Sequence, residues 1–273
     1  MSQNDELIPL PEVDSLTYGS YLKVDEILSL QQPLSEPRMH DELLFIVIHQ
    51  AYELWFKLML HELDKIKRDF NSNDLYGAIA TFKRVRTIMK TLVEQLDILE
   101  TMTPMSFSSF RDRLETSSGF QSSQFREFEF VLGYKRSHVL KYYPEGTSGF
   151  DRVVTRLNEP SLVDCFYVFL AANGGVIPEA ILNRDVTEPN AADEGVQEAI
   201  FQLYTSQPSL TILFELMTDF DEGIQEWRYR HVKIVERTIG VKSGTGGSPG
   251  IEFLKKSLFM PVFADLWAIR HRM

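Results

Sequence analysis

The sequence predicts an all-α fold: long helices packed as a bundle, with shorter helices around it. Three observations carry that expectation. Apolar residues recur at spacings of three and four over long stretches, as in Ile79, Phe82, Val85, Ile88 and Met89, the period that lines one face of a helix. No segment shows sustained alternation bounded by hairpin turns. Glycine and proline gather between the periodic stretches, at 144–150, 173–178 and 240–250, where they punctuate the chain.

Each element follows in order. Residues 1–17, with Pro9 and Pro11, read as irregular. Tyr18, Tyr21, Val24, Ile27 and Leu28 then share one face of a helix expected over 16–28, which Pro33 and Pro37 break. A long helix is expected over 40–71. The turn Asn71-Ser72-Asn73-Asp74 offers caps for the next helix, which continues to Met102 and is ended by Pro104. A short helix over 107–114 follows, and another begins after Ser117-Ser118-Gly119 and runs to Gly133. Residues 184–195 are acidic and expected to be exposed. A last long helix is expected over 209–239. The stretch 240–250 holds five glycines and a proline, too many for a helix or strand. A short amphipathic helix closes the chain around 263–269. With no internal repeat and no low-complexity tail, residues 1–273 are expected to form a single domain.

Composition narrows the function. Lys plus Arg is 28 and Asp plus Glu 39, a net charge of −11 with no basic stripe, which argues against a nucleic-acid binder. The polar, acidic N-terminus lacks the features of a signal peptide. One cysteine, Cys165, allows no disulfide within the chain, fits a reducing compartment and reads as a small buried hydrophobe. The longest apolar stretch, 43–60, contains His49, Gln50, Glu53 and Lys57. Charges at mid-span are costly in lipid, so a buried core helix is expected rather than a membrane span.

Six histidines, His40, His49, His61, His138, His231 and His271, limit the metal chemistry. The residues three before them are Pro37, Ile46, Leu58, Lys135, Arg228 and Ala268, none acidic, which disfavours a di-iron carboxylate bundle. No two histidines stand four apart, as a zincin helix requires. GTGGSPG fits neither a dinucleotide fingerprint nor a phosphate loop and reads as a flexible loop. Two histidines stand out. His49 interrupts the apolar run LLFIVIHQAYELWF with Phe45 one helical turn before it; His231 lies in EWRYRHVKIVER with Trp227 one turn back. Phe107, Arg111 and Leu114 share one face of the short helix; that arginine is either a snorkelling surface group or a fork for a carboxylate in an apolar pocket.

Four segments together resemble the tryptophan 2,3-dioxygenases: LTYGSYLKVDEILSLQQPLSEP (16–37), HDELLFIVIHQAYELWFKLMLHELD (40–64), ILETMTPMSFSSFRDRLETSSGFQSSQFREFEF (98–130) and WRYRHVKIVERTIGVKSGTGGSPG (227–250). Residues 134–206 resemble the family weakly. The resemblance implies a cytoplasmic, all-helical homotetramer, a dimer of dimers, with one haem b per subunit held in a pocket between helices. It implies insertion of both atoms of O2 into the indole ring of L-tryptophan, giving N-formyl-L-kynurenine. By motif it assigns His231 as the axial ligand of the haem iron and His49 as the catalytic distal histidine near the indole N–H. Phe45 is implied to lie against the indole, Arg111 to bind the substrate carboxylate, and Thr245 to close over the amino-acid end. Phe107 and Leu114 are implied to line the pocket and Ser118 and Gly119 to border it. Tyr18 and Tyr21, on an N-terminal arm of residues 1–37, are implied to reach a neighbouring subunit's pocket. Phe107 stands where some bacterial relatives carry tyrosine, and Glu115-Thr116 replaces a smaller, proline-containing stretch. Two other readings remain: a paralogue that adds one oxygen atom to a substituted tryptophan, and a non-enzymatic haem-binding scaffold.

Overall fold

The structure, a computed structural model, describes residues 15–242, 244 and 250–273. Among the described residues every regular element is helical. The N-terminal arm holds α1 (Tyr18–Leu22) and α2 (Val24–Leu28), two short helices rather than the single one expected over 16–28. Lys23 between them has φ 55°, a left-handed conformation that ends one helix and re-aims the next. Neither helix buries a residue in this chain.

α3 (His40–Asn71) has the span expected for it, and α4 (Leu75–Leu99) follows with Asp74 as its cap, the Asp74 carboxylate accepting from the Gly77 amide at 2.9 Å. Pro104 does not end α4. It starts α5 (Pro104–Phe110), capped by Thr103, because a proline at the first helical position gives up an amide that has no helical partner there. The helix expected over 107–114 therefore begins earlier and tightens into a 3-10 turn, Arg111–Leu114. α6 (Ser123–Val131) is preceded by a second 3-10 turn, Gly119–Gln121. α7 (Ser148–Asn158), α8 (Leu162–Ala172), α9 (Glu179–Leu182) and α10 (Glu194–Ser206) fill the middle of the chain. α11 (Pro208–Ile239) is the second long helix, followed by α12 (Ile251–Lys255) and α13 (Ala264–Ala268).

The frame is α3, α4 and α11, with α4 lying against both of the others. At 32 residues each, α3 and α11 run for about 48 Å. α6 and α8 flank α3, while α10 and α13 flank α11. The core joins Met59, Leu63 and Ile66 of α3, Phe82 and Val85 of α4, and Phe214 and Phe220 of α11. Cys165 is buried within it. α3 is long and apolar enough by composition to cross a bilayer. Its inner face is instead protein core, and Leu43, Val47, Leu54 and Leu58 of its outer side remain exposed.

The acidic segment 184–195 is less open than expected. Arg184 pairs with Asp164 at 2.6 Å, and the Asn190 amide donates to the Gly133 carbonyl at 3.2 Å. Gly133 has φ 94°, and a Cβ there would meet the Asn190 side chain at 2.3 Å, so this approach requires glycine. The C-terminal segment is fastened to α11 by Asp221, which is fully buried. Its carboxylate accepts from the amides of Val262 and Phe263, both at 3.0 Å, and from Trp267 Nε1 at 2.9 Å.

Candidate active site

The site is built from the N-terminal half of α3, the C-terminal half of α11, and the chain from α5 to α6. On α3, Phe45 and His49 are one turn apart, with ring centroids 4.0 Å apart. His49 Nδ1 lies 2.7 Å from the Phe45 carbonyl. A carbonyl oxygen can only accept, so Nδ1 carries the proton and Nε2 is left as an acceptor. α5 packs Phe107 and Phe110 onto Phe45, at 5.8 and 5.6 Å. Leu114, Met39 and Ile239, the last residue of α11, close the same apolar cluster. Phe107 starts the turn of helix that ends at Arg111, which is half-buried where α5 tightens into its 3-10 turn.

On α11, His231 lies flat against Trp227, 5.1 Å between centroids and 10° between planes. Trp227 is itself held by Tyr52 of α3 at 6.3 Å and Phe125 of α6 at 5.4 Å. The segment from Leu114 to Phe125 thus connects the Phe45 cluster to the Trp227 side. Within it, Ser118 caps the 3-10 turn that begins at Gly119, its Oγ accepting from the Phe120 amide at 3.3 Å.

The two imidazoles are near enough to influence each other's charge. His231 is pushed down to about 4 by desolvation first, and then by repulsion from His49. His49 is also held below the ordinary histidine value. Desolvation dominates there, against the Phe45 carbonyl and the Glu53 charge, which both raise it. Yet His49 is exposed and His231 only half-buried. Both histidines are neutral near pH 7, so each offers a lone pair.

That pattern fits a haem. Among the described residues no three His, Cys, Asp or Glu gather as a metal-binding group; His231, a neutral imidazole, is of the residue type that would hold a haem iron. Each histidine lies against an aromatic ring, Phe45 or Trp227, and Trp227 Nε1 is buried without a hydrogen-bond partner among the described residues.

Comparison with known proteins agrees with this geometry. A family model described as tryptophan 2,3-dioxygenase matches residues 10–165 and 188–273. This chain belongs to the tryptophan 2,3-dioxygenase family. The unmatched internal stretch, 166–187, is shorter than the weakly resembling region 134–206. The tryptophan 2,3-dioxygenase of Herpetosiphon aurantiacus is 52% identical over 256 residues, covering 94% of this chain and 98% of that protein. That of Anaeromyxobacter sp. is 49% identical over 261 residues, covering 94% and 96%. That of Bacillus thuringiensis is 42% identical over 263 residues, covering 95% and 94%.

Of the residues assigned to the site from the family resemblance, the structure brings Phe45, His49, Phe107 and Leu114 together and sets Arg111 at their edge. His231 faces them from α11, and Ser118 and Gly119 border the connection. Tyr18 and Tyr21 do not join this cluster within the subunit: they lie on the arm, 79% and 70% exposed. Thr245 lies outside the described residues. Sequence reasoning noted Trp227 only as a neighbour and missed Phe110, Phe125 and Tyr52. The Trp227–His231 spacing of one turn carries a signal for stacking; Tyr52 and Phe125 come from other helices and carry none.

Proposed function

We propose that this chain inserts both atoms of O2 across the C2–C3 bond of the indole of L-tryptophan, giving N-formyl-L-kynurenine, with one haem b per subunit. The observation that carries this reading is the nearness of two neutral imidazoles, His49 and His231, each set against an aromatic ring of its own helix. When bound, the haem supplies the oxygen chemistry, while the protein orients the substrate and excludes side reactions.

His231 would hold the haem iron through its lone pair, and the stacked Trp227 ring restrains the orientation of that imidazole. Across the cleft, His49 Nε2 accepts from the indole N–H, because its Nδ1 proton is committed to the Phe45 carbonyl. Phe45, Phe107 and Leu114 present an apolar wall to the indole. Arg111 at the rim takes the substrate carboxylate, a charge-assisted contact of about 1.5–3 kcal/mol. Ser118 and Gly119 border the same opening, and Thr245 closes over the amino-acid end.

The functional unit in this reading is a cytoplasmic homotetramer, a dimer of dimers. Its support is the exposed apolar surface of a single subunit: Leu43, Val47, Leu54 and Leu58 of α3, with Leu16, Tyr18, Tyr21 and Leu28 of the arm, more than an isolated soluble chain ordinarily shows. In the tetramer, Tyr18 and Tyr21 line a neighbour's pocket, and residues 1–37 act as an arm on an otherwise single domain.

The test is turnover of L-tryptophan by ferrous, haem-loaded protein under 18O2. Formylkynurenine carrying two labelled oxygens supports the reading. One labelled oxygen favours the mono-oxygenating paralogue, which the dioxygenase names of the relatives do not favour. Absence of product refutes both.

A further inference from the structure

The arm exposes nearly all of its apolar side chains, yet its root is tightly held. Glu42, in the first turn of α3, is 2% exposed. Its carboxylate accepts from the Leu34 amide at 2.7 Å, from the Ser35 amide at 3.0 Å, and from the Ser35 hydroxyl in a short contact. The same Ser35 hydroxyl accepts from the Met39 amide at 2.9 Å, an amide at the start of α3 that has no helical partner. Burial alone raises the Glu42 carboxyl, but the Ser35 hydroxyl and the two amides outweigh it, and Arg113 lowers it further. Glu42 is therefore a charged clamp, and Arg113 belongs to the turn that carries Arg111. A second tie lies two turns on. Gln31 donates to Gln50 Oε1 at 2.6 Å, and Gln50 donates to the Leu30 carbonyl at 3.0 Å. Gln50 is the neighbour of His49. Between these ties and the free helices α1 and α2, the chain is short and fixed.

We propose that Glu42 is a positioning residue that sets the trajectory of the arm, so that the Glu42 of one subunit completes the substrate pocket of the next. This rests on the reading that the arm lines a neighbour's pocket. The clamp confers direction: an arm anchored by three donors on one carboxylate reaches its neighbour preformed, without losing the entropy of ordering at each encounter. With the Glu42 clamp broken, only the Gln31–Gln50 tie holds the arm, which then samples more directions and leaves only a fraction of pockets complete. Apparent affinity then falls by that fraction, while a completed pocket turns over as before.

The experiment uses haem-loaded oligomer of the wild type, Glu42→Gln and Ser35→Ala. Both variants should raise KM for L-tryptophan roughly tenfold, as expected for losing hydrogen bonds to a charged group, with kcat nearly unchanged. The amides of Leu34 and Ser35 should exchange with deuterium faster in Glu42→Gln. Hybrids of Glu42→Gln with Arg111→Ala should regain sites of wild-type KM, because the intact arm of one subunit serves the intact pocket of the other. Unchanged KM in both variants, or hybrids that restore nothing, overturns the proposal. If Glu42→Gln fails to assemble, Ser35→Ala decides by the same kinetic and hybrid criteria. A wild type that yields no formylkynurenine refutes the dioxygenase reading instead, and the exchange of the two amides still reports on the clamp.

Discussion

The imidazole of His231 lies parallel to the indole of Trp227, 10° from coplanar and 5.1 Å between centroids. That stack fixes one torsion of a ring that desolvation keeps neutral.

The first prediction concerns acid. An ordinary histidine is half protonated near pH 6.5, and a proton competes with iron for the lone pair. His231 is pushed down to about 4, so the competition begins at lower pH. Haem titrated into the apo-protein should bind with nearly constant affinity from pH 7.5 to pH 5.5. A loss of affinity centred near 6.5 would contradict the burial of this ring. His231→Ala should lose most haem at any pH while retaining helical circular dichroism.

A second prediction follows from the tautomer of His49. With Nδ1–H given to Phe45, Nε2 can only accept, so the pocket favours substrates with an indole N–H. A thio-analogue of tryptophan lacking that donor leaves the acceptor unpaired, which costs about 1–3 kcal/mol. The wild type should discriminate against it by about ten- to a hundredfold in kcat/KM, and His49→Leu should erase most of that preference. Equal discrimination in both proteins would show that His49 does not face the indole nitrogen.

Arg111 should act on one end of the substrate only. Arg111→Ala should raise KM for L-tryptophan by about ten- to a hundredfold, the equivalent of a lost charge-assisted contact. Binding of indole, which has no carboxylate, should be unchanged within error. Arg111→Lys should recover little, because an ammonium does not reproduce the planar fork. A KM effect of equal size on indole binding would mean that Arg111 supports the pocket's shape instead.

The last prediction is structural. Asp221 holds three donors of the C-terminal segment from a fully buried position. Asp221→Ala leaves all three unpaired and should cost about 3 kcal/mol or more, read as a lower midpoint in urea. Asp221→Asn retains one acceptor and should cost less. Equal stability of the alanine variant would show that the segment is held by Val262, Phe263 and Leu266 packing alone.

Much of this was legible from the chain. The bounds of α3 and α11 follow from helical periodicity closed by proline before and by polar or glycine residues after. The Phe45–His49 and Trp227–His231 pairs were legible because they are one turn apart on a single helix, where geometry is set locally. Pro104 was misread as a stop because proline both ends helices and begins them, and only the position of Thr103 as cap tells which. The break at Lys23 left no mark in composition, since a left-handed lysine looks like any other until its backbone is seen. Arg111 carries two readings, a snorkelling surface group or a carboxylate fork, and its half-buried place on the 3-10 turn after α5 is compatible with both.

Sequence by itself determined the helices, their amphipathic faces and the residue types able to ligate iron or grip a carboxylate, because those depend on neighbours within a few residues. Tertiary structure decided that α3 and α11 both lie along α4, which brings Tyr52 of α3 to Trp227 of α11, and that Glu42 meets Leu34 and Ser35 at the root of the arm. Such encounters depend on which apolar faces bury one another, and burial is a property of the whole chain rather than of any window of it.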